Sequence, residues 1–405
     1  MLKGKTVILG ISGGIAAYKI ANLCSQLVKL EADVHVIMTK NATEFITPLT
    51  FETLTGNKCL TDTFDRNFEF DVKHISIAKK ADLIMLAPAT ANLIAKLANG
   101  IADDMLTTTV LASKAKKLLA PSMNTNMYEN PITQDNIAKL KNYGFSIIEP
   151  DTGMLACKDI GKGKLPDPEL LAEHIIYEIA KPKDMLGLNV IVTAGACAES
   201  IDPVRFISNH STGKMGFALA RECSLRGANV TIVAAHVQVP PPPFCEFVAA
   251  RSASEMFDEL AERFAGADML FMAAAVTDYT PAERAEEKIK KSDSELMLKL
   301  TKTHDIIKYL GERKSDKQLL CGFSMETENM LENSRAKLIN KNLDMIVANN
   351  LKTAGAGFAC DTNIVTIITQ TDTIELPLMS KCEVSKNIVD TALSIYHSKL
   401  AKNFS

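Results

Sequence analysis

The run Ala81-Asp82-Leu83-Ile84-Met85-Leu86-Ala87, followed by Pro88, constrains this chain more than any other stretch. An apolar segment of strand length without polar alternation reads as a strand buried on both faces, the hallmark of a parallel sheet. Proline cannot donate to a ladder, so the strand is expected to end at Pro88. Ala89-Thr90-Ala91-Asn92 then opens a helical pattern. Small residues there let a ligand approach the backbone, and Thr90 and Asn92 offer hydrogen bonds at a helix N-terminus. A strand-to-helix turn of this kind suits an anion or a planar ring. His74 lies just upstream of the strand. Alone, such a histidine is usually a surface residue and the turn only a cap; their combination singles them out.

The N-terminus repeats the same grammar. Thr6 to Leu9 is a strand, Gly10-Ile11-Ser12-Gly13-Gly14 a glycine-rich turn, Ile15 to Leu30 a helix by apolar spacing, and Val34 to Met38 a second strand. This βαβ unit has a phosphate-friendly turn. It lacks the GxGxxG pattern, and its second strand ends in Thr39-Lys40 where a dinucleotide enzyme carries an acid for the ribose. A mononucleotide is therefore expected, not NAD, which also disfavours a nicotinamide-dependent flavin reductase. Thr39 has a hydroxyl for a phosphate. Beyond the strand Leu118 to Ala120, the stretch from Pro121 to Tyr128 carries Asn124 and Asn126. Their amides either read a substrate amide or carboxylate or make an Asx-capped turn. Residues 151–166 are rich in Gly and Lys and read as a mobile loop around Cys157, whose lysine neighbours favour a thiolate.

With 405 residues the chain should hold two or three domains. The polar stretch from Ala180 to Asp184, with Pro182, places a boundary between residues 1–184 and 185–405. The second part begins a new strand series at Val190 to Thr193. Ser208 to Gly216 is not a P-loop, since Met215 follows Lys214 where Ser or Thr is required. It still makes an anion seat before a helix from Phe217 to Arg226. Met269 to Val276 is a buried strand leading to Asp278, at the strand end where α/β folds place ligand contacts. Glu286 to Lys291 is a charge run of surface character. Lys337 and Lys341 share a helix face, a hint of an anion between them. The fold class expected is α/β, with two Rossmann-like doubly wound parallel-sheet domains.

Composition excludes several function classes. A net charge of −3 gives no reason for nucleic acid. No apolar run reaches transmembrane length and no signal peptide is evident. Nine scattered cysteines without a CxxC pair point to free thiols in a reducing, cytoplasmic setting.

GISGGIAAYK, the region of His74, APATANLIAKLANGIADDML, PSMN and GMLAC together resemble the flavoprotein half of the bifunctional phosphopantothenoylcysteine decarboxylase / phosphopantothenate–cysteine ligase family. DPVRFISNHSTGKMG, AAAVTDY, EEKIKK, GFSMET and RAKLINKNLDMIVANN resemble its ligase half. The resemblance implies a flavodoxin-like first domain binding FMN through Ser12, Gly13, Gly14, Thr39, Thr90, Ala91 and Asn92. It implies His74 as the catalytic histidine, Asn124 as reader of the substrate carboxylate or amide, and Cys157 as proton donor. A flavin suits the chemistry. Oxidising the substrate thiol to a thioaldehyde gives the electrons of the breaking C–C bond a sink, and the enethiol so formed is reduced afterwards.

For the second domain the resemblance implies CTP with Mg²⁺, contacted by Ala274, Asp278, Lys288, Asp305, Ile306, Phe323, Lys337 and Lys341. Asn209 would hold an acyl-cytidylate, and Lys288 would also serve the attack by cysteine's amine. No metal ligands are assigned. The implied reactions are ligation of 4'-phosphopantothenate to L-cysteine, then decarboxylation to 4'-phosphopantetheine, in a homododecamer of flavoprotein trimers joined by ligase dimers. Three departures stand out. Lys158 and Lys164 replace the family's Gly and Arg around Cys157, which loses a planar guanidinium fork. Ala196 to Ser200 replaces Pro-Thr-Arg-Glu-Pro. Thr303-His304 replaces Asn-Pro. A flavoprotein that binds without turnover would lack His74, Asn124 or Cys157, and all three are present.

Overall fold

A computed structural model describes residues 1–63, 73–155, 159–290, 296–326, 329–350 and 360–402. The chain divides into two compact units, Met1–Lys181 and Pro182–Ser405.

In the first unit five strands form one sheet: β1 (Thr6–Ile11), β2 (Asp33–Met38), β3 (Leu83–Ala89), β4 (Lys116–Pro121) and β5 (Phe145–Ile147). Their order is β2-β1-β3-β4-β5, and every pairing is parallel. The chain leaves β1 in opposite directions for β2 and β3, which makes a switch point at their carboxyl ends. All seven residues of β3 are buried, as expected of a strand covered on both faces.

That strand runs through Pro88, contrary to the expectation that Pro88 ends it. Pairing with β4 is irregular between Leu86 and Ala89, so the missing N–H falls where no ladder bond is needed. The Pro88 carbonyl is fully used, accepting from the Ser12 N–H at 3.3 Å and the Ser12 hydroxyl at 2.6 Å.

The Gly- and Lys-rich stretch is not a loop in its flanks. Asp151–Met154 (β6) and Ile160–Lys164 (β7) pair as an antiparallel hairpin. Its glycines serve close approach, not mobility. The Gly163 carbonyl accepts from the Met123 N–H at 3.0 Å, and a Cβ on Gly163 would collide with the Met123 carbonyl. Cys157 and Lys158 lie outside the described residues.

The second unit begins with β8 (Asn189–Ala194), the short hairpin β9 (Ala198–Ser200) and β10 (Phe206–Ser208), then β11 (Asn229–Ala234), β12 (Glu246–Ala249) and β13 (Met269–Met272). A small ribbon, β14 (Tyr279–Pro281) with β15 (Leu300–Lys302), precedes β16 (Leu319–Glu326), β17 (Met345–Asn350), β18 (Thr362–Thr369) and β19 (Thr373–Ser380). The main sheet runs β12-β11-β8-β13-β16-β17-β18-β19. It is parallel as far as β17, but β18 and β19 are antiparallel, so it is mixed where a wholly parallel sheet was expected. β13 stops at Met272, shorter than the apolar run to Val276. The Ala274 N–H is taken instead by the Thr193 hydroxyl, at 2.9 Å. A long final helix, Lys381–Lys402, buries Val384, Ile388, Val389, Ala392, Leu393 and Tyr396 against this sheet.

The helix Lys214–Leu225 packs directly on β8 through Gly216. A Cβ there would sit 2.6 Å from the Thr193 carbonyl oxygen and 3.0 Å from the Ala194 Cα, both backbone atoms. Overpacking of this kind costs about 2 kcal/mol. Gly216→Ala should lower the melting temperature of the second unit by roughly 5 °C in a calorimetric scan. An unchanged profile would mean that the helix shifts outward without cost.

Candidate functional site

Each unit has a cavity at the carboxyl ends of its own strands. In the first unit a cavity of about 670 Å³ is lined by Gly13 and Gly14 after β1, Thr90 and Ala91 after β3, Ser122 to Asn124 after β4, and Met154 and Lys164 from the hairpin. Five of the residues expected from sequence, Gly13, Gly14, Thr90, Ala91 and Asn124, thus meet in one place.

The local geometry explains why. Ser12 is 2% exposed, and its hydroxyl accepts from the Thr90 N–H at 3.0 Å while donating to the Pro88 carbonyl. One side chain therefore stitches the first turn to the turn after β3, and its only proton is already committed. Thr90 caps the helix Ala91–Ala98 by accepting from the Leu93 N–H at 3.3 Å. Asn124 caps the helix Thr125–Glu129, accepting from the Asn126 N–H at 2.9 Å. Its amide also donates to Asp159 at 3.3 Å. The Asx cap read from sequence is present and leaves Asn124 at the cavity wall.

Thr39 follows β2, and its Oγ1 is buried without a hydrogen-bond partner among the described residues. Leaving such a hydroxyl unpaired costs roughly 1–3 kcal/mol; Thr39 itself does not line the cavity, and Thr125 Oγ1 is buried and unpaired in the same way. Asn92 is exposed on the first turn of its helix and does not line the cavity. His74 is half-buried on the helix Lys73–Lys80 and does not line it either. Met127, from the stretch already marked by its two Asn and two Met, lines the cavity, as do Tyr18 and Lys19, which were not singled out from sequence. Helical phase places Tyr18 and Lys19 on the turn just after the glycines, a signal that was available.

In the second unit a cavity of about 600 Å³ gathers Ala274, Asp278, Asp305, Ile306, Phe323, Lys337 and Lys341. A smaller one of about 360 Å³ shares Ala274, Asp278 and Phe323 with it and adds Asn209, Lys214, Asn349 and Lys381. Lys288, the remaining expected residue, is exposed and lines neither. Asn209 donates from Nδ2 to the Ala275 carbonyl at 3.4 Å. Within the chain Lys337 and Lys341 have different carboxylate partners. Lys337 pairs with Glu326 at 2.5 Å, and Lys341 with Asp305 at 3.0 Å. Asp305 also caps the helix Ile306–Arg313. Glu326, not singled out from sequence, lies at the far end of β16.

Residues within the departures at 196–200 and 303–304 have structural roles. Thr303 donates to the Thr277 carbonyl at 2.6 Å, and His304 stacks on Phe257 at 4.8 Å between ring centroids. Cys197 is fully buried, which pushes its thiol up to about 12 and leaves it unreactive. Glu199 accepts from the Ala253 N–H at 2.8 Å and from the Thr277 hydroxyl at 3.3 Å.

Comparison with known proteins covers both units. Residues 1–180 match the family described as Flavoprotein. Residues 185–395 match the DNA/pantothenate metabolism flavoprotein C-terminal domain. The coenzyme A biosynthesis bifunctional protein CoaBC of Bacillus subtilis is 46% identical over 395 residues, 96% of this chain and 97% of its own. The chain belongs to the bifunctional coenzyme A biosynthesis family. Its Haemophilus influenzae member is 42% identical, covering 98% of this chain and all of its own. A crystal structure of the C-terminal domain of a CoaBC protein aligns over 55% of this chain and 98% of that one, at 35% identity and a TM-score of 0.45. The two family models follow one another in a single chain, the flavoprotein match first. Among the described residues no helix is long and apolar enough to cross a membrane.

Proposed function

We propose that residues 185–405 join 4'-phosphopantothenate to L-cysteine with CTP, through an acyl-cytidylate, and that residues 1–184 decarboxylate the product to 4'-phosphopantetheine with FMN. The observation that carries this reading is the contrast between the two sites. Each unit has its own cavity at the carboxyl ends of its strands; the first is lined mostly by small and apolar residues, while the second adds Lys302, Lys337, Lys341, Asp278 and Asp305 to an apolar lining.

The residues present fit FMN. The unpaired Thr39 hydroxyl suits a phosphate oxygen. Gly13 and Gly14 let the backbone come close. Ala91 and Thr90 leave room for a ring. Ser12 acts by position, holding the two turns together, with its hydroxyl donating to the Pro88 carbonyl. Asn92 would contribute from the helix rim. When bound, FMN supplies reversible two-electron chemistry that lets the substrate carboxylate leave as CO₂. Asn124 orients the substrate carboxylate or amide, and Lys164 at the cavity mouth offsets anionic charge. Cys157 returns a proton. His74 stands apart from the cavity of its own chain, which favours its entering the site of a second copy. That fits trimers of the first unit, joined through the second into a homododecamer.

In the second unit Lys337 and Lys341 take triphosphate oxygens, with Asp305, Ile306, Ala274, Asp278 and Phe323 lining the nucleotide cavity. Asn209 holds the acyl-cytidylate, and Lys288 serves both nucleotide and amine attack. Mg²⁺ travels with the nucleotide. Among the described residues no cluster of three or more ligating side chains exists, and Mg²⁺ usually takes only one or two carboxylates beside phosphate oxygens. A cytoplasmic setting is part of this reading, and the eight described cysteines are all free thiols.

The test is incubation with phosphopantothenate, cysteine, CTP and Mg²⁺, following pyrophosphate and CO₂ separately. Both should appear, and CO₂ should depend on CTP. Decarboxylation of supplied phosphopantothenoylcysteine without pyrophosphate release would confine activity to the first unit. A chain that stays colourless in excess FMN would remove the flavin reading altogether.

A further inference from the structure

The turn joining β9 to β10 holds a carboxylate with more partners than a turn needs. The Asp202 side chain is 0% exposed. Its Oδ1 accepts from the Val204 and Arg205 N–H groups, both at 2.8 Å, which suffices for the turn. Its Oδ2 does something else. It accepts from Arg205 Nε at 2.9 Å and Nη2 at 2.6 Å, and from the Ile289 N–H at 3.2 Å. Burial pushes this carboxyl up, but the hydrogen bonds from Val204, Arg205 and Ile289 outweigh it and hold it well below the usual carboxylate range.

Ile289 is the residue after Lys288. The same segment is bound twice more to the turn. Arg205 Nη2 donates to the Ile289 carbonyl at 2.6 Å, and the Ala285 N–H donates to the Ile201 carbonyl at 3.0 Å. From this turn β10 runs directly to Asn209, and the Ser208 hydroxyl fixes its end on the Cys197 carbonyl at 2.9 Å. The exposed residue Lys288 and the cavity residue Asn209 are therefore attached to opposite ends of one short hairpin strand.

We propose that Asp202 is a positioning residue for ligation: through Arg205 and Ile289 its Oδ2 fixes the Lys288 segment relative to Asn209. This rests on the assignment of Lys288 and Asn209 to the ligase reaction. Asp202 touches no reactant. It fixes where the Lys288 backbone lies, so that a long flexible side chain searches a smaller volume.

Asp202→Asn separates the two functions of the carboxylate. The amide oxygen keeps the bonds to Val204 and Arg205, while the amide nitrogen at the Oδ2 position meets the Ile289 N–H as donor against donor. CTP-dependent pyrophosphate release should fall roughly ten- to hundredfold, the usual effect of losing bonds to a charged acceptor. Decarboxylation of supplied phosphopantothenoylcysteine by the same full-length protein should stay unchanged. Tryptic cleavage after Lys288 should speed up by a similar factor.

The decisive arm is a double-mutant cycle. Added to Lys288→Ala, Asp202→Asn should cost little further rate, because the segment then has nothing to position. An equal loss in both backgrounds would show a general structural role and overturn the proposal, as would wild-type ligation by Asp202→Asn. Normal ligation by Lys288→Ala would instead overturn the assignment of Lys288, and the cleavage rate alone would then decide whether Asp202 holds the segment. Should Asp202→Asn not fold, Arg205→Lys removes the bond to the Ile289 carbonyl and is expected to show the same non-additivity with a smaller loss.

Discussion

Asn209→Asp should abolish CTP-dependent ligation while leaving CO₂ loss from supplied phosphopantothenoylcysteine intact. Asn209 lines the smaller cavity of the second unit and donates to the carbonyl of Ala275, a residue that lines both cavities. The substitution keeps the shape and exchanges a donor for a charged acceptor. A carboxylate there opposes a carbonyl dipole and any phosphate that enters. Loss of a donor aimed at a reacting anionic group costs about 10²- to 10³-fold in rate. The decarboxylase site is in the other unit and has its own cavity. Pyrophosphate and CO₂ measured on one preparation give the answer, and a variant that ligates at the normal rate would refute the role given to Asn209.

Gly13→Ala should strip the flavin and spare the ligase. A Cβ on Gly13 would run into the Cβ of Asn41 and lie 2.9 Å from its carbonyl carbon. Asn41 belongs to the 3₁₀ turn Lys40–Glu44, directly after Thr39. The collision is with backbone, so the turn must move and take the Thr39 hydroxyl with it. Overpacking on this scale costs roughly 1–3 kcal/mol, which is about ten- to hundredfold in affinity. The absorbance ratio of flavin to protein in purified material is the readout, with pyrophosphate release as the internal control. A fully yellow variant would show that the turn yields without cost.

Much of the fold was legible because buried parallel strands are apolar throughout. β3 is the clearest case, its sequence reading as a strand without help from neighbours. What was not legible depends on contacts distant in sequence. Pro88 was read as a stop because proline lacks an N–H, yet the irregular pairing with β4 makes that N–H dispensable. Gly161 and Gly163 were read as mobility. They are close-approach positions, where a Cβ would strike Thr125 and Met123. The antiparallel strands β18 and β19 gave no sign of their direction, since direction depends on connection, not composition.

The candidate site divides the same way. Gly13, Gly14, Thr90 and Ala91 were recognisable because turn chemistry is local. The partners of Lys337 and Lys341 were not, because Glu326 and Asp305 come from other elements. Asp202 escaped notice for a related reason: its second oxygen bonds a residue 87 positions away.

The paired lysines have a thermodynamic consequence. Lys337 and Lys341 already hold carboxylate counter-ions of their own. If the two lysines take phosphate oxygens as proposed, a polyphosphate would arrive by exchange, with Glu326 and Asp305 giving up their contacts. The measured affinity would then report the difference between two sets of ion pairs, and such a site discriminates by fit more than by pull.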